Sequence, residues 1–193
     1  MLIMMYVTLL PVIVAGGLNM AFCKSGLFGA LAIPIDAGKC LKDGKRIFGD
    51  NKTLKGFAGY LVINTICYAM WGVICRALSI EHLNLFYAEH ENTLLFNLLI
   101  GFLVGLGYAL FELPNSFMKR RLDITPGRTV SGGRKVFFIF LDQADSIFGV
   151  ALVVWLFYDL GIKLYLLYVL VGAGTHIVVN LLLYAMKLRK TPV

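Results

Sequence analysis

Val136-Phe-Phe-Ile-Phe-Leu-Asp142-Gln-Ala-Asp145-Ser-Ile-Phe-Gly-Val-Ala-Leu-Val-Val-Trp-Leu-Phe-Tyr158 is the stretch that decides the fold class. It is long enough to cross about 30 Å of hydrocarbon as a helix, and its polar residues gather near its beginning. Asp142 and Asp145 stand three apart, so a helix projects both carboxylates from one face. Even the lenient insertion scale puts Asp at about +2.5 to +3.5 kcal/mol at the centre of a membrane helix. Two acids on one face of such a segment make physical sense when they hold a cation, which makes them a functional-site candidate.

Four further apolar runs have the same reach. With the first they give spans at about 1–22, 57–75, 93–111, 136–158 and 164–186. Composition agrees. The chain is 59% apolar and only 15% charged, with a mean hydropathy of +0.80, whereas soluble globular chains run near 45–50% apolar and about 25% charged. The expectation is an all-α integral membrane protein, 1–193 forming a single membrane-embedded domain of five transmembrane helices with two large cytoplasmic loops. Pro11 and Gly16-Gly17 predict a kink or break in the first span. That span lacks the basic leader and small-residue cleavage site of a signal peptide, so it is expected to stay in the protein.

Basic residues set the orientation. Seven lie between spans one and two (Lys24, Lys39, Lys42, Lys45, Arg46, Lys52, Lys55), six between spans three and four (Lys119, Arg120, Arg121, Arg128, Arg134, Lys135), and three in the tail (Lys187, Arg189, Lys190). The other two loops hold only Arg76 and Lys163, against Glu81, Glu89, Glu91 and Asp159. Sixteen of eighteen basic residues therefore fall on one side of an odd number of spans. The N-terminus is expected outside, the C-terminus and the two large loops in the cytoplasm.

The four cysteines (Cys23, Cys40, Cys67, Cys75) lack metal-ligand spacing, and Cys67 and Cys75 read as small hydrophobes within a span. The three histidines are scattered. No internal repeat is evident, which argues against a transporter of duplicated halves.

Both cytoplasmic loops lead to the Asp142/Asp145 end of the fourth span. The first, Ser25 to Gly56, is expected to form short turns or helices against the membrane surface. In it, Gly49, Asp50, Lys52, Thr53 and Lys55 combine amide, acid, hydroxyl and base more densely than orientation requires. Glycine lets the backbone approach a phosphate, and lysine neutralises it. The Walker spacing is absent. Lys24, Lys42 and Lys45 read as solvated loop charges. Asp36, Asp43 and Asp50 recur every seven residues with no chemical reason for the period. The second loop, Glu112 to Lys135, carries Pro114, Pro126-Gly127 and Gly132-Gly133 as breaks. Asn115, Lys119, Arg120 and Arg121 leave the third span at the depth of a lipid phosphate, and the basic triplet suits either anionic-lipid anchoring or phosphate binding. Glu112 could serve as a metal ligand, a helix-end charge or a partner of Arg120.

Carboxylates that hold Mg²⁺, beside basic residues and glycine amides that hold a triphosphate, suit in-line phosphoryl chemistry on an amphiphile entering sideways from the bilayer. The motifs Pro34-Ile-Asp-Ala-Gly-Lys39, Gly44-Lys-Arg-Ile-Phe-Gly-Asp50-Asn-Lys52-Thr-Leu-Lys-Gly56, Ser116-Phe-Met-Lys119-Arg-Arg-Leu, Pro126-Gly127 and Leu141-Asp-Gln-Ala-Asp145 together resemble the CDP-archaeol synthase family, which is related to the phosphatidate cytidylyltransferases. The likeness runs in order from about Pro34 to Gly149. It implies a five-span enzyme using CTP and Mg²⁺ on an isoprenoid-ether glycerol phosphate or related lipid phosphate, releasing pyrophosphate, with Asp142 and Asp145 as metal ligands and Glu112 as a third catalytic acid. Depth and loop character assign Gly49, Asp50, Lys52, Thr53 and Lys55 to CTP, and Asn115, Lys119, Arg120 and Arg121 to the lipid phosphate. The expected partners are CTP, the lipid acceptor and membrane lipids, without nucleic acid; no feature sets an oligomeric state.

Two departures bear on the acceptor more than on the nucleotide. Phe111-Glu112, followed by Leu113-Pro114-Asn115, stands where the family pattern has Gly-Asp, and the segment between Pro126 and Leu141 also differs. They keep open a noncatalytic lipid-binding homologue. A channel or carrier for cations or phosphorylated solutes is the alternative from another class, opposed by outer span halves nearly free of acids and bases.

Overall fold

The computed structural model describes residues 1–126, 133, 135–185 and 187. Gly127, Arg128, Gly132, Arg134, Met186, Arg189 and Lys190, all used in the sequence reading, lie outside the described residues. Five helices are long and apolar enough to cross a membrane: α1 (Leu2–Lys24), α2 (Leu54–Ala77), α4 (Leu94–Arg121), α5 (Lys135–Phe157) and α6 (Gly161–Ala185). α3 is a single turn, Phe86–Glu89, between α2 and α4. No strand occurs among the described residues, only two isolated bridges within the first loop. This is an all-α integral membrane protein, as its hydropathy predicts.

The helices pack in a closed order. α2 lies against α1 and α4, α5 against α4 and α6, and Tyr6 on α1 reaches Thr175 on α6, with 3.2 Å between their hydroxyls. Met5, Leu9, Tyr68, Ile100, Val104, Val150, Val154 and Tyr168 fill the interior. Large apolar side chains such as Val73, Leu95 and Leu156 point outward, the pattern of a bundle whose solvent is hydrocarbon. The four cysteines are free thiols.

α1 runs through Pro11 and Gly16-Gly17 without the expected break. Proline removes the bond that the carbonyl four residues earlier would accept. Here that carbonyl, Val7 O, accepts instead from Trp71 Nε1 at 2.8 Å, and the neighbouring Thr8 O accepts from Tyr68 OH at 3.0 Å. α2 thereby supplies what Pro11 withdraws, one of the ways membrane helices tolerate proline.

The second loop starts later than expected. α4 continues past Phe111 and through Pro114 to Arg121, so Glu112, Asn115, Lys119, Arg120 and Arg121 sit on helix rather than in a loop. The last turn is held by the first loop: Lys45 donates to Arg121 O at 2.9 Å, satisfying a helix-end carbonyl, and pairs with Asp123 at 2.7 Å. Lys45 is therefore a docking residue, not the freely solvated charge expected.

Two glycines fix how α4 meets α5. A Cβ on Gly149 would lie 2.1 Å from Gly107 O, and one on Gly107 would lie 2.8 Å from Gly149 O. Only bare backbones cross this closely, the usual role of small residues in membrane helix contacts. From the crossing, one turn toward the inner end of α5 reaches Asp145, and just over one turn along α4 reaches Glu112.

Candidate active site

That crossing brings the inner ends of α4 and α5 together. Asn115 Nδ2 donates to Asp142 Oδ1 and to Asp145 Oδ2, each at 2.7 Å, so one amide bridges the acid pair. Lys119 Nζ, one turn later, donates to Asp142 Oδ2 at 2.6 Å. Asp145 Oδ1 also accepts from the Ser146 amide at 2.7 Å. Glu112 forms an ion pair with Lys52 of the first loop, and Lys52 in turn feels Asp145 and Asp142. Burial works against the Lys52 ammonium, but the Glu112 carboxylate facing it holds its pKa above the ordinary lysine value. Of the three options for Glu112, the geometry shows the partner of a cation, but Lys52 rather than Arg120. Tyr108, stacked on Tyr60 with ring centroids 4.1 Å apart, lies beside Glu112 and Ser146.

The acids suit a hard cation. The positively polarised Asn115 amide and the Lys119 ammonium already lie against them, and Asn115 Oδ1 is buried without a partner. Two convergent carboxylates are ligands that Mg²⁺ accepts while keeping waters or phosphate oxygens at its other positions. Among the described residues no three acids, histidines or cysteines cluster to form a fuller cage.

The first loop is a folded lobe organised by one buried carboxylate. Asp36, with its side chain fully buried, accepts from the amides of Gly38 at 3.1 Å, Phe48 at 2.9 Å and Gly49 at 3.0 Å. Arg46 donates to it at 2.6 and 3.3 Å. Burial alone would raise the Asp36 pKa; the Arg46 guanidinium and the three amides outweigh it and hold the carboxyl well below the usual range. Gly49, at φ +92°, presses its bare backbone toward Arg120 and Pro126: a Cβ would lie 3.4 Å from Arg120 Nη1 and 3.1 Å from Pro126 Cγ. The Arg120 Nε is buried and unpaired. Arg121 instead clamps the lobe, donating to Asp43 at 2.6 Å and to Lys45 O at 3.0 Å, and also to Arg46 O.

Not every expected nucleotide residue faces the acids. Thr53 caps α2 by accepting from the Gly56 amide at 3.1 Å. Lys55 is buried and donates to Ser25 O at 2.7 Å and Cys23 O at 3.4 Å, tying α2 to the end of α1. Asp50 pairs with Arg46 at 2.7 Å on the exposed side of the lobe. Asn115 and Lys119, expected at the lipid phosphate, lie on the acid pair. A cavity of about 430 Å³ opens between the lobe and α1, α2 and α4, with Lys52 and Glu112 on its wall and Asp50, Thr53 and Lys55 lining it as well. Tyr108 escaped the sequence reading, and Asp36 entered it only for its spacing from Asp43 and Asp50. Asp36 did carry a signal, since it lies within the Pro34–Lys39 motif; Tyr108 carried none in an apolar run.

The family model described as "CarS-like: CDP-archaeol synthase" matches residues 1–193, the whole chain. This protein belongs to the CDP-archaeol synthase family. A CDP-archaeol synthase of Sulfolobus acidocaldarius is 31% identical over 186 residues, covering 95% of this chain and 93% of its own. One from Pyrococcus furiosus is 32% identical over 159 residues, covering 82% and 83%. A solved structure described as an intramembrane enzyme for archaeal membrane lipids biosynthesis superposes with a TM-score of 0.58 over 91% of both chains at 22% identity, a likeness of fold. The CDP-archaeol synthase family is one of membrane cytidylyltransferases, and the ordered motifs from Pro34 to Asp145 lie within the matched length.

Proposed function

We propose that this protein transfers CMP from CTP to an isoprenoid-ether glycerol phosphate or closely related lipid phosphate, giving a CDP-lipid and pyrophosphate. A phosphate oxygen of the lipid attacks the α-phosphorus of CTP. The new P–O bond forms as the bond to the α,β-bridging oxygen breaks, and pyrophosphate leaves with that electron pair. The work of the protein is positioning and charge neutralisation. The observation that carries the reading is the Asn115-bridged pair Asp142/Asp145 beside Lys52 and Glu112, in a chain matched by the family along its whole length.

Asp142 and Asp145 would hold Mg²⁺, which when bound draws phosphate oxygens into line and offsets charge on the departing pyrophosphate. Asn115 keeps the two carboxylates convergent. Lys52, kept charged by Glu112, and the Gly49 backbone receive the CTP phosphates. Asp50, Thr53 and Lys55 shape that loop and line the same cavity as Lys52. Arg120, whose Nε is unpaired, receives the lipid phosphate where α4 ends, while Lys119 stays on Asp142 and Arg121 holds the lobe. The N-terminus lies outside and both large loops in the cytoplasm, where CTP is; cysteine labelling at positions 45 and 89 in intact cells checks this, and an impermeant reagent reaching 45 but not 89 would reverse it.

Purified protein given radiolabelled CTP, Mg²⁺ and a panel of lipid phosphates should form a labelled CDP-lipid. A folded protein that yields none with any acceptor would sink the reading.

A further inference from the structure

Gln143 stands between the two acids of α5, and the chemistry above leaves it unused. At about 100° per residue, Asp142 and Asp145 project about 60° apart, while Gln143 lies about 100° from the first and about 160° from the second. The acids face α4, so Gln143 faces α6. There it is buried, and its Oε1 accepts from Asn180 Nδ2 at 2.7 Å. Asn180 is buried as well. The Gln143 carbonyl lies 3.3 Å from His176 Nδ1. One turn further along the same face, Ile147 rests on Gly172, where a Cβ would lie 2.5 Å from Ile147 Cγ2.

The inner turn of α5 is thus held from two sides by contacts of different kinds. On the α4 side, Asn115 and Lys119 bond the carboxylate oxygens themselves, the atoms that a cation also needs. On the α6 side, Asn180 bonds the residue between the acids and leaves their oxygens alone. Its hold is therefore the same whether or not those oxygens are engaged. The crossing with α4 is poorly suited to this task. Side-chain ridges key one helix against the next, and Gly107 and Gly149 meet there as bare backbone. The tolerance is small. A rotation of about 20° at a radius of about 5–6 Å carries a carboxylate about 2 Å, which would break the 2.7 Å bonds from Asn115.

Resting on the function proposed above, we infer that Gln143 is a positioning residue, held by Asn180 so that α5 is fixed in rotation and Asp142 and Asp145 converge on one cation. Stability is a poor reason for the pair. A hydrogen bond between membrane helices contributes little, because the unassembled helix also finds polar partners. Register is the better reason, and it is the best-attested use of a buried polar group. Leucines in place of Gln143 and Asn180 would pack over a range of rotations, whereas two amides bond over a narrow one.

Metal binding tests this without relying on turnover. Mn²⁺ takes the same oxygen ligands as Mg²⁺, and its paramagnetic resonance reports the bound fraction. Gln143→Leu and Asn180→Leu should each weaken Mn²⁺ binding to the purified protein about fivefold to tenfold, the lower range for losing a group that orients metal ligands. The Mg²⁺ needed for half-maximal turnover should rise by a similar factor, while the KM for CTP at saturating Mg²⁺ changes less than about twofold. The double variant should bind within about twofold of either single one, because both delete the same contact. The exchange Gln143→Asn with Asn180→Gln keeps two amides of the same combined length and should restore binding to within about twofold of wild type. Asn64→Leu is the control for an amide that only packs helices. Buried in α2, Asn64 donates to Gly101 O at 2.7 Å, so its loss should lower the thermal midpoint and leave Mn²⁺ affinity unchanged. Should leucine at either position prevent folding, Asn180→Ala and the exchange variant carry the same test. Mn²⁺ affinity within twofold of wild type in the folded single variants, additive losses in the double one, or an exchange variant as weak as the single ones would overturn the inference. Wild-type protein that makes no CDP-lipid, yet binds Mn²⁺ less tightly once Gln143 or Asn180 is replaced, would defeat the proposed function and leave the positioning role standing.

Discussion

Replacing Asp36 with alanine removes the single acceptor on which Gly38, Phe48, Gly49 and Arg46 converge. Hydrogen bonds to a charged group contribute about 1.5–3 kcal/mol each, and breaking a buried pair costs about 3–5 kcal/mol. These figures do not add, and Arg46 keeps Asp50 and partial access to water, so a loss of about 2–4 kcal/mol is expected. It should be local, because the lobe is held to the bundle by Lys45 and Arg121 while the helices pack independently of Asp36. Hydrogen exchange reads it directly: the amides of Phe48 and Gly49 should exchange roughly 30- to 1,000-fold faster, at about 1.4 kcal/mol per tenfold. The helical core should be unchanged. The apparent KM for CTP should rise with it, because Gly49 and Lys52 lose their platform. The pH dependence has a definite sign. A carboxyl whose pKa is depressed by folding contributes stability that is fully present above its unfolded value, near about 3.9, and is lost as pH falls through the folded value. Asp36 lies in that class, so lobe protection should hold from pH 5 to 8 and fade in stronger acid. Unchanged exchange at Phe48 and Gly49 in the alanine variant would refute the claim that this carboxylate organises the lobe.

Asp142→Asn and Asp145→Asn should each abolish CDP-lipid formation while leaving the thermal midpoint within a few degrees, since each keeps shape and removes charge; normal turnover at limiting Mg²⁺ by both would take the acids out of the mechanism. Gly149→Leu should separate α4 from α5, because even its Cβ would meet Gly107 O at 2.1 Å; the expected cost is about 3 kcal/mol or more, with activity lost, whereas Gly174→Ala, which meets nothing within 4 Å, should fold and work normally. Lys52→Ala should raise the KM for CTP about tenfold to a hundredfold and Arg120→Ala that for the lipid phosphate, matching about 1.5–3 kcal/mol per charge-assisted contact. Lys42→Ala, on the exposed edge of the lobe, should change neither by more than about twofold, and a CTP defect in Arg120→Ala with lipid spared would exchange the two subsites.

Span number and the acid pair were legible in the sequence because their causes are one-dimensional. The length of an apolar run is set against a fixed hydrocarbon thickness, and a carboxylate within it is costly wherever the run folds. Family membership was legible because the motifs recur in order along the chain. The continuation of α1 past Pro11 was not, because it depends on Trp71 and Tyr68 arriving from another helix at Val7 and Thr8. Nor was the reach of α4 to Arg121, which has Lys45 at its last carbonyl. Asn115 and Lys119 have the composition of phosphate ligands and lie where the third span leaves the bilayer. They meet the acid pair instead because Gly107 and Gly149 bring two backbones within reach of each other. That approach is a property of two facing surfaces, and no single stretch of chain carries it.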